Sequence, residues 1–236
     1  MRRGHSIAEQ YSRQLRRRFR MWPTWLPDGD VRVGDFGRIE NGLFERQGRL
    51  DGALSGLAAR RTRSTADQLF ASDGVRQVAV GAAGASVDAP DAKAAARIEF
   101  GRELGILVAL RDCHETLATD PLATASELDT LRKEDKWQDG YCLVTGVVRA
   151  KRALIAIGSK GGGTLELSAT APVSDLLTCL DGEVRISSEV SVSYRALITD
   201  CTPLFRLSKL ARGGELVLRG GDSTAARLVE LDPMAD

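Results

Sequence analysis

Apolar and polar residues along this chain recur with two different periods, and each change of period marks a passage between helix and strand. Residues 7–22 follow the helical one. At about 100° per residue, Ile7, Ala8, Tyr11, Leu15, Phe19 and Trp22 share one arc, whereas Arg13, Arg16, Arg17 and Arg20 centre on the opposite side. Only Arg18 falls on the apolar arc. Ser6-Ile7-Ala8-Glu9 reads as a capping box, in which the serine hydroxyl accepts from the Glu9 amide and the glutamate accepts from the Ser6 amide. The helix is therefore expected to begin at Ile7 and to be stopped by Pro23.

A period of two takes over downstream. Segments 31–40 and 43–50 flank Asn41-Gly42, a dipeptide that accepts positive φ at both positions, and together they predict a hairpin. The Arg/Ser/Ala/Gly-rich stretch 51–74 predicts a loop, and 75–87 a Gly/Ala-rich strand. Ile98, Phe100, Leu104, Ile106, Val108 and Leu110 all occupy even positions and predict one long strand over 97–111. Residues 122–136 read as a helix with Leu128 and Leu131 facing inward. Segments 141–149 and 153–157 predict a strand or a bent pair, 160–163 a turn, 164–168 a further strand, and 174–180 a helical turn. The cleanest alternation is 184–199, where Val184, Ile186, Val190, Val192, Tyr194 and Ile198 oppose Arg185, Ser187, Glu189, Ser193 and Arg195. At about 3.3 Å per residue this segment would extend roughly 50 Å, well beyond an ordinary strand. The order of elements predicts an α+β fold: a curved, mostly antiparallel sheet with long strands, flanked by a basic N-terminal helix and a few short helices.

Charge sharpens this pattern. The 236-residue chain nets only +1, yet residues 1–63 net +7 and the remainder −6, and the first twenty residues hold seven arginines against Glu9. Such asymmetry suggests a surface-seeking end. Three readings of the helix's cationic face stay open: a solvated outer face, attraction to an anionic membrane at about 1 kcal/mol per arginine, and contact with nucleic-acid phosphates. Aromatic residues make up 5% of the chain, with no ladder interleaved among the arginines and no helix-turn-helix partner, so no nucleic-acid partner is expected.

Candidate chemistry is sparse. His114 stands between Cys113 and Glu115 on a strand end, where adjacent side chains point apart, which disfavours a Cys-His nucleophile. Nucleophile-elbow, zincin and Walker motifs are absent, and Lys160-Gly161-Gly162-Gly163 reads as a turn. Cys113, Cys142, Cys179 and Cys201 are widely spaced, which predicts free buried thiols rather than a metal or redox site. The expectation is a non-enzyme with no catalytic residues, metal or cofactor. No secretory apolar region follows the basic start and no run approaches about 20 apolar residues, so a cytoplasmic protein is expected. Segments 97–111 and 184–199 are long enough to cross a bilayer as tilted strands of about 9–11 residues, although any half-buried antiparallel strand alternates in the same way.

Three landmarks carry a family resemblance. Ile7-Ala-Glu-Gln-Tyr-Ser-Arg-Gln-Leu-Arg-Arg-Arg-Phe19 resembles the opening basic helix of gasdermin pore-forming domains. Tyr141-Cys-Leu-Val-Thr-Gly-Val-Val-Arg-Ala150 resembles their central strand, and Asp200-Cys-Thr-Pro-Leu-Phe-Arg-Leu-Ser-Lys-Leu210 their closing segment. The order and spacing of the three match across about 200 residues.

This resemblance implies a pore-forming domain over residues 1–210 and a short tail over 211–236, similar to bacterial members with a small inhibitory segment. It implies a protein held inactive until proteolysis, which then moves to the inner face of the plasma membrane, binds acidic lipid, and oligomerises with itself into a β-barrel pore in cell death or defence. Carried over, Arg13, Arg16, Arg17 and Arg20 would contact lipid, and the regions around 75–111 and 142–198 would be the membrane-inserting hairpins. Arg212-Gly213-Gly214 would be the link cut by an activating protease, and Glu215-Leu-Val-Leu218 would add a strand to the sheet edge. Bacterial members often carry a lipid-modified cysteine near the N-terminus, whereas this chain has none before Cys113. The alternative is a soluble, non-enzymatic binding or regulatory module with a basic N-terminal helix.

Overall fold

A computed structural model describes residues 6–26, 29–50, 52, 54–64, 66–82, 94–101, 104–159, 161–169, 175–180, 184–211 and 226–235. Its α-helices are α1 (Ile7–Phe19), α2 (Pro121–Lys133) and α3 (Leu176–Cys179), with a 3-10 turn at Ser55–Leu57. Its strands are β1 (Trp22–Pro23), β2 (Asp35–Glu40), β3 (Leu43–Arg49), β4 (Ala59–Ser64), β5 (Gln68–Ala71), β6 (Val75–Ala82) and β7 (Ala94–Phe100). They continue with β8 (Ile106–Ala118), β9 (Cys142–Gly158), β10 (Gly163–Ala169), β11 (Val184–Val190), β12 (Val192–Ala211) and β13 (Arg227–Glu230). The fold is α+β with large antiparallel sheets and an N-terminal helix.

A nine-stranded sheet has the path β1-β12-β9-β2-β3, with β13 beside β12 and with β4, β5 and β9 paired to β8. A four-stranded sheet has the order β11-β10-β7-β6. The chain divides into two compact units, residues 1–63, 114–149 and 202–236 in one and residues 64–113 and 150–201 in the other.

In the first unit, Ser6 caps α1 as its sequence predicts: Glu9 N donates to the Ser6 hydroxyl and Ser6 N to the Glu9 carboxylate. The helix ends earlier than Pro23. Arg20 adopts the left-handed conformation at φ 55° and closes the last turn, and Trp22-Pro23 instead pairs with Phe205-Leu204 of β12. The β2–β3 hairpin closes on Asn41 and Gly42 at φ 52° and 72°, with Glu40 facing Leu43. Its walls pack on two apolar clusters, one of Trp22, Cys142, Val144, Val147, Phe205 and Leu207, the other centred on Leu54, Leu128, Trp137 and Leu143.

The stretch 51–74 is not the loop expected of it, since it holds the 3-10 turn, β4 and β5. β4 is an arginine-rich strand with Arg60 and Arg61 exposed, so it carries no apolar alternation to read. Thr62 Oγ1 donates to the Glu115 carbonyl at 2.8 Å.

In the second unit, β7 and β10 lie in the middle of the four-stranded sheet, with Ile98 facing both Val78 and Leu165. Ala96, Ile98, Phe100, Leu165 and Leu167 share a core with Leu176, Cys179 and Leu180 from around α3. The single strand expected over 97–111 is two, β7 and β8, in different sheets. The even-numbered apolar pattern runs on although β7 ends at Phe100 and β8 begins at Ile106. A Cβ on Gly105 would stand 2.6 Å from both the Gly74 carbonyl oxygen and the Phe100 ring, so close backbone approach takes the place of strand pairing there. The paired segments 141–149 and 153–157 form one strand, β9. The alternating run 184–199 is interrupted at Ser191, at φ 52°, which separates β11 from β12. Residues 83–87, and 215–218 with their expected edge strand, lie outside the described residues.

Candidate anion-binding site on the first helix

The apolar arc of α1 is anchored in the first unit. Tyr11 and Leu15 are fully buried, and the Tyr11 ring lies 5.4 Å from that of Trp25. Ser12 Oγ donates to the Gly42 carbonyl at 2.7 Å, tying the helix to the tip of the β2–β3 hairpin. Ile7, nominally on this arc, is 40% exposed at the helix start.

The arginines opposite do not behave as one set. Arg13, Arg17, Arg18 and Arg20 are exposed, but Arg16 is only 6% exposed. Its guanidinium stacks 4.9 Å from the centre of the Trp22 ring and donates from Nη1 to the Pro233 carbonyl at 2.9 Å. Among the described residues, no hydrogen bond or ion pair engages the side chains of Arg13, Arg17 or Arg20. Arg13, Arg16 and Arg17, three and four positions apart, line a pocket of about 140 Å³ together with Pro233 and Met234. Arg20 is not part of that lining.

Pro233 and Met234 reach the helix through a chain of contacts. β13 runs antiparallel to β12, with Glu230 opposite Ser208. Arg206 bridges Glu115 Oε1 at 2.7 Å and Glu230 Oε1 at 2.8 Å. Burial works against the Arg206 charge, yet the two carboxylates outweigh it and raise its pKa. The Leu231 amide donates to the Leu207 carbonyl, and the Asp232 carboxylate accepts from the Met234 amide, turning the chain so that the buried Pro233 offers its carbonyl to Arg16.

Arg16 thus does not share the exposed cationic face on which the sequence groups it with Arg13, Arg17 and Arg20. Helical periodicity places its Cα opposite Tyr11 and Leu15, but its stem is long enough to carry the guanidinium over Trp22, which belongs to β1 rather than to the helix. Pro233 and Met234 were not legible as partners of α1; the only signal is Asp232-Pro233, a turn-forming dipeptide. Arg212, Gly213 and Gly214 lie outside the described residues.

The remaining titratable candidates sit in ordinary packing. All four cysteines are free and buried, as their spacing predicts. Burial, followed by Asp67, Cys201 and Asp112, pushes the Cys113 thiol up to about 12. His114 is held below its usual value by burial and by Arg61 and Arg149, and Glu115 is engaged by Arg206. Among the described residues no helix is long and apolar enough to cross a membrane, which leaves crossing by strands untouched.

Three guanidinium groups gathered without a lining acid among the described residues suit an oxyanion, which several forked N–H donors can hold at once. Comparison with protein-family models and with curated proteins finds no match.

Proposed function

We propose that this protein is a gasdermin-like pore former, inactive as folded, which on proteolytic removal of its C-terminal segment binds acidic membrane lipid through α1 and oligomerises into a β-barrel pore. It is not an enzyme on this reading and needs no cofactor. It would move from the cytoplasm to the inner face of the plasma membrane, in cell death or defence.

The observation that carries the proposal is the exposed cationic face of Arg13, Arg17 and Arg20, unpaired among the described residues, on a helix whose other face is anchored. Near an anionic surface each such arginine contributes about 1 kcal/mol. Two further features are consistent with it. The regions expected to insert, 75–111 and 142–198, supply all of the four-stranded sheet, whose strands are already paired in antiparallel fashion. The segment 227–235 is docked beside β12 and against Arg16, where its removal would break the bond from Arg16 to the Pro233 carbonyl.

Leakage of dye from vesicles tests the reading. The full chain should be silent, and a chain cut within 212–214 should permeabilise vesicles containing anionic lipid but not neutral ones. Silence of every truncated form would overturn it and leave the second reading, a soluble binding module. Docking of α1 by Tyr11 and Leu15 accommodates that reading equally well, with the arginines serving an acidic protein partner.

A further inference from the structure

We infer that the pocket between α1 and Pro233-Met234 is a composite site for a single phosphate-class oxyanion, and that its occupation strengthens the docking of the C-terminal segment. The inference rests on the reading of the α1 arginines as an anion-seeking face. It adds a ligand that needs no membrane and an effect opposite in sense to release of the tail.

The pocket has the size and donors for such a ligand. Its volume of about 140 Å³ is roughly ten times the ~10–15 Å³ that a cavity needs to hold one water, room for a tetrahedral oxyanion. Arg13 and Arg17 bring guanidinium forks from the solvent side, and neither is engaged by another described residue. Arg16 forms the inner wall, fixed in place by Trp22 and by its bond to Pro233. Arg13 stands three positions from Arg16 and four from Arg17, spacings at which like charges repel by about 0.2–0.5 kcal/mol per pair, and a bound oxyanion would relieve both pairs together. Asp232, the nearest acid along the tail, spends its carboxylate on the Met234 amide.

The coupling follows from the lining. Two of the five wall residues belong to the C-terminal segment and three to the helix. A ligand touching both sets binds the docked arrangement better than the undocked one, so by linkage it favours docking. Lipid headgroups and free phosphates present the same chemistry to the site. A free phosphate can enter with the tail in place, whereas a headgroup held in a bilayer must bring the whole membrane surface up to Pro233 and Met234.

The test uses the full chain at constant ionic strength. Inorganic phosphate replacing chloride should raise the thermal midpoint in a saturable way and slow amide exchange in 227–235. The exposed double variant Arg13→Gln/Arg17→Gln should keep the fold and weaken phosphate affinity by about tenfold or more. Equal phosphate responses in wild type and variant, or a midpoint shift with no added protection of 227–235, overturn the inference. Vesicles of neutral lipid doped with phosphatidic acid form the second arm. A full chain that responds to phosphate yet, once cut, ignores those vesicles upholds the pocket and overturns the membrane reading. A cut chain that binds them, while the full chain's phosphate response is the same in wild type and variant, overturns the pocket alone.

Discussion

The guanidinium of Arg16 donates to the carbonyl of Pro233 at 2.9 Å across 217 positions of the chain. The contact joins the first helix to the last described turn. It also separates Arg16 from the arginines beside it, which face solvent.

Substitutions on α1 should therefore split into two classes. Arg13→Glu, Arg17→Glu and Arg20→Glu should each change unfolding free energy by no more than about 0.5 kcal/mol, while together abolishing flotation of the truncated chain with anionic vesicles. Arg16→Ala should destabilise by about 2–3 kcal/mol, from a buried charged hydrogen bond and a cation–π contact. Urea titrations decide the matter: a harmless Arg16→Ala, or vesicle binding undiminished in the triple variant, contradicts the division.

Two glycines give a matched pair. A Cβ on Gly37 would lie 1.9 Å from the Glu45 carbonyl oxygen, beside the bulge by which β3 carries one extra residue opposite Phe36 and Gly37, whereas one on Gly81 meets nothing within 4 Å. Gly37→Ala should cost several kcal/mol, about 2–4, and disturb the hairpin on which α1 rests. Gly81→Ala should be neutral within about 0.5 kcal/mol. Comparable losses in the two variants would refute this account of the bulge.

Much of the fold is legible where local chemistry decides it. The Ser6–Glu9 capping box, the Asn41-Gly42 turn and the inward Leu128 are local decisions, and the structure repeats them. What escapes is set at a distance. Gly101 and Gly105 look like harmless gaps in an alternating strand until Gly74 is brought against them. β4 is held by backbone pairing to β8, so its exposed arginines hide it. Of the site, the arginine face is readable, but the inward turn of Arg16 depends on Trp22 and Pro233, neither of which lies on the helix.

The buried thiols predict an alkaline limit. In the native state the Cys113 thiol is raised from 9.0 to about 12 by burial first, and burial raises Cys142 and Cys179 as well. A raised pKa means that the folded chain keeps a proton which the unfolded chain releases. The Cys113 contribution is complete below pH 9 and is lost as the pH climbs from 9 towards 12, at up to about 1.4 kcal/mol per pH unit, and the other two thiols act in the same direction. Cys113→Ala should flatten the decline. Iodoacetamide at pH 8 should leave native Cys113 unmodified, and rapid labelling would show the thiol to be accessible.

Removing the cap of α2 should be a modest, local insult. Asp120 accepts from the Leu122 and Ala123 amides at 3.0 and 2.9 Å. Asp120→Ala should cost about 1 kcal/mol, lowering the thermal midpoint by roughly 2–4 °C in a chain of this size. Asp120→Asn should recover most of the loss, and an equal drop in both variants would argue against capping as the cause.

Ser191 divides what would otherwise be a single ribbon. Twenty-seven residues of β11 and β12 lie on either side of it, and its positive φ sends them to different sheets. A non-glycine residue in the left-handed region costs about 1–2 kcal/mol, so the joint is a stressed hinge pin rather than a relaxed bend. Returning Ser191 to the β region would relieve that stress and join β11 to the first part of β12 in one stave, 184–199, of about 50 Å at roughly 3.3 Å per residue, before Asp200, also at φ 52°, turns the chain again. The chain thus stores reach that its present sheets do not use.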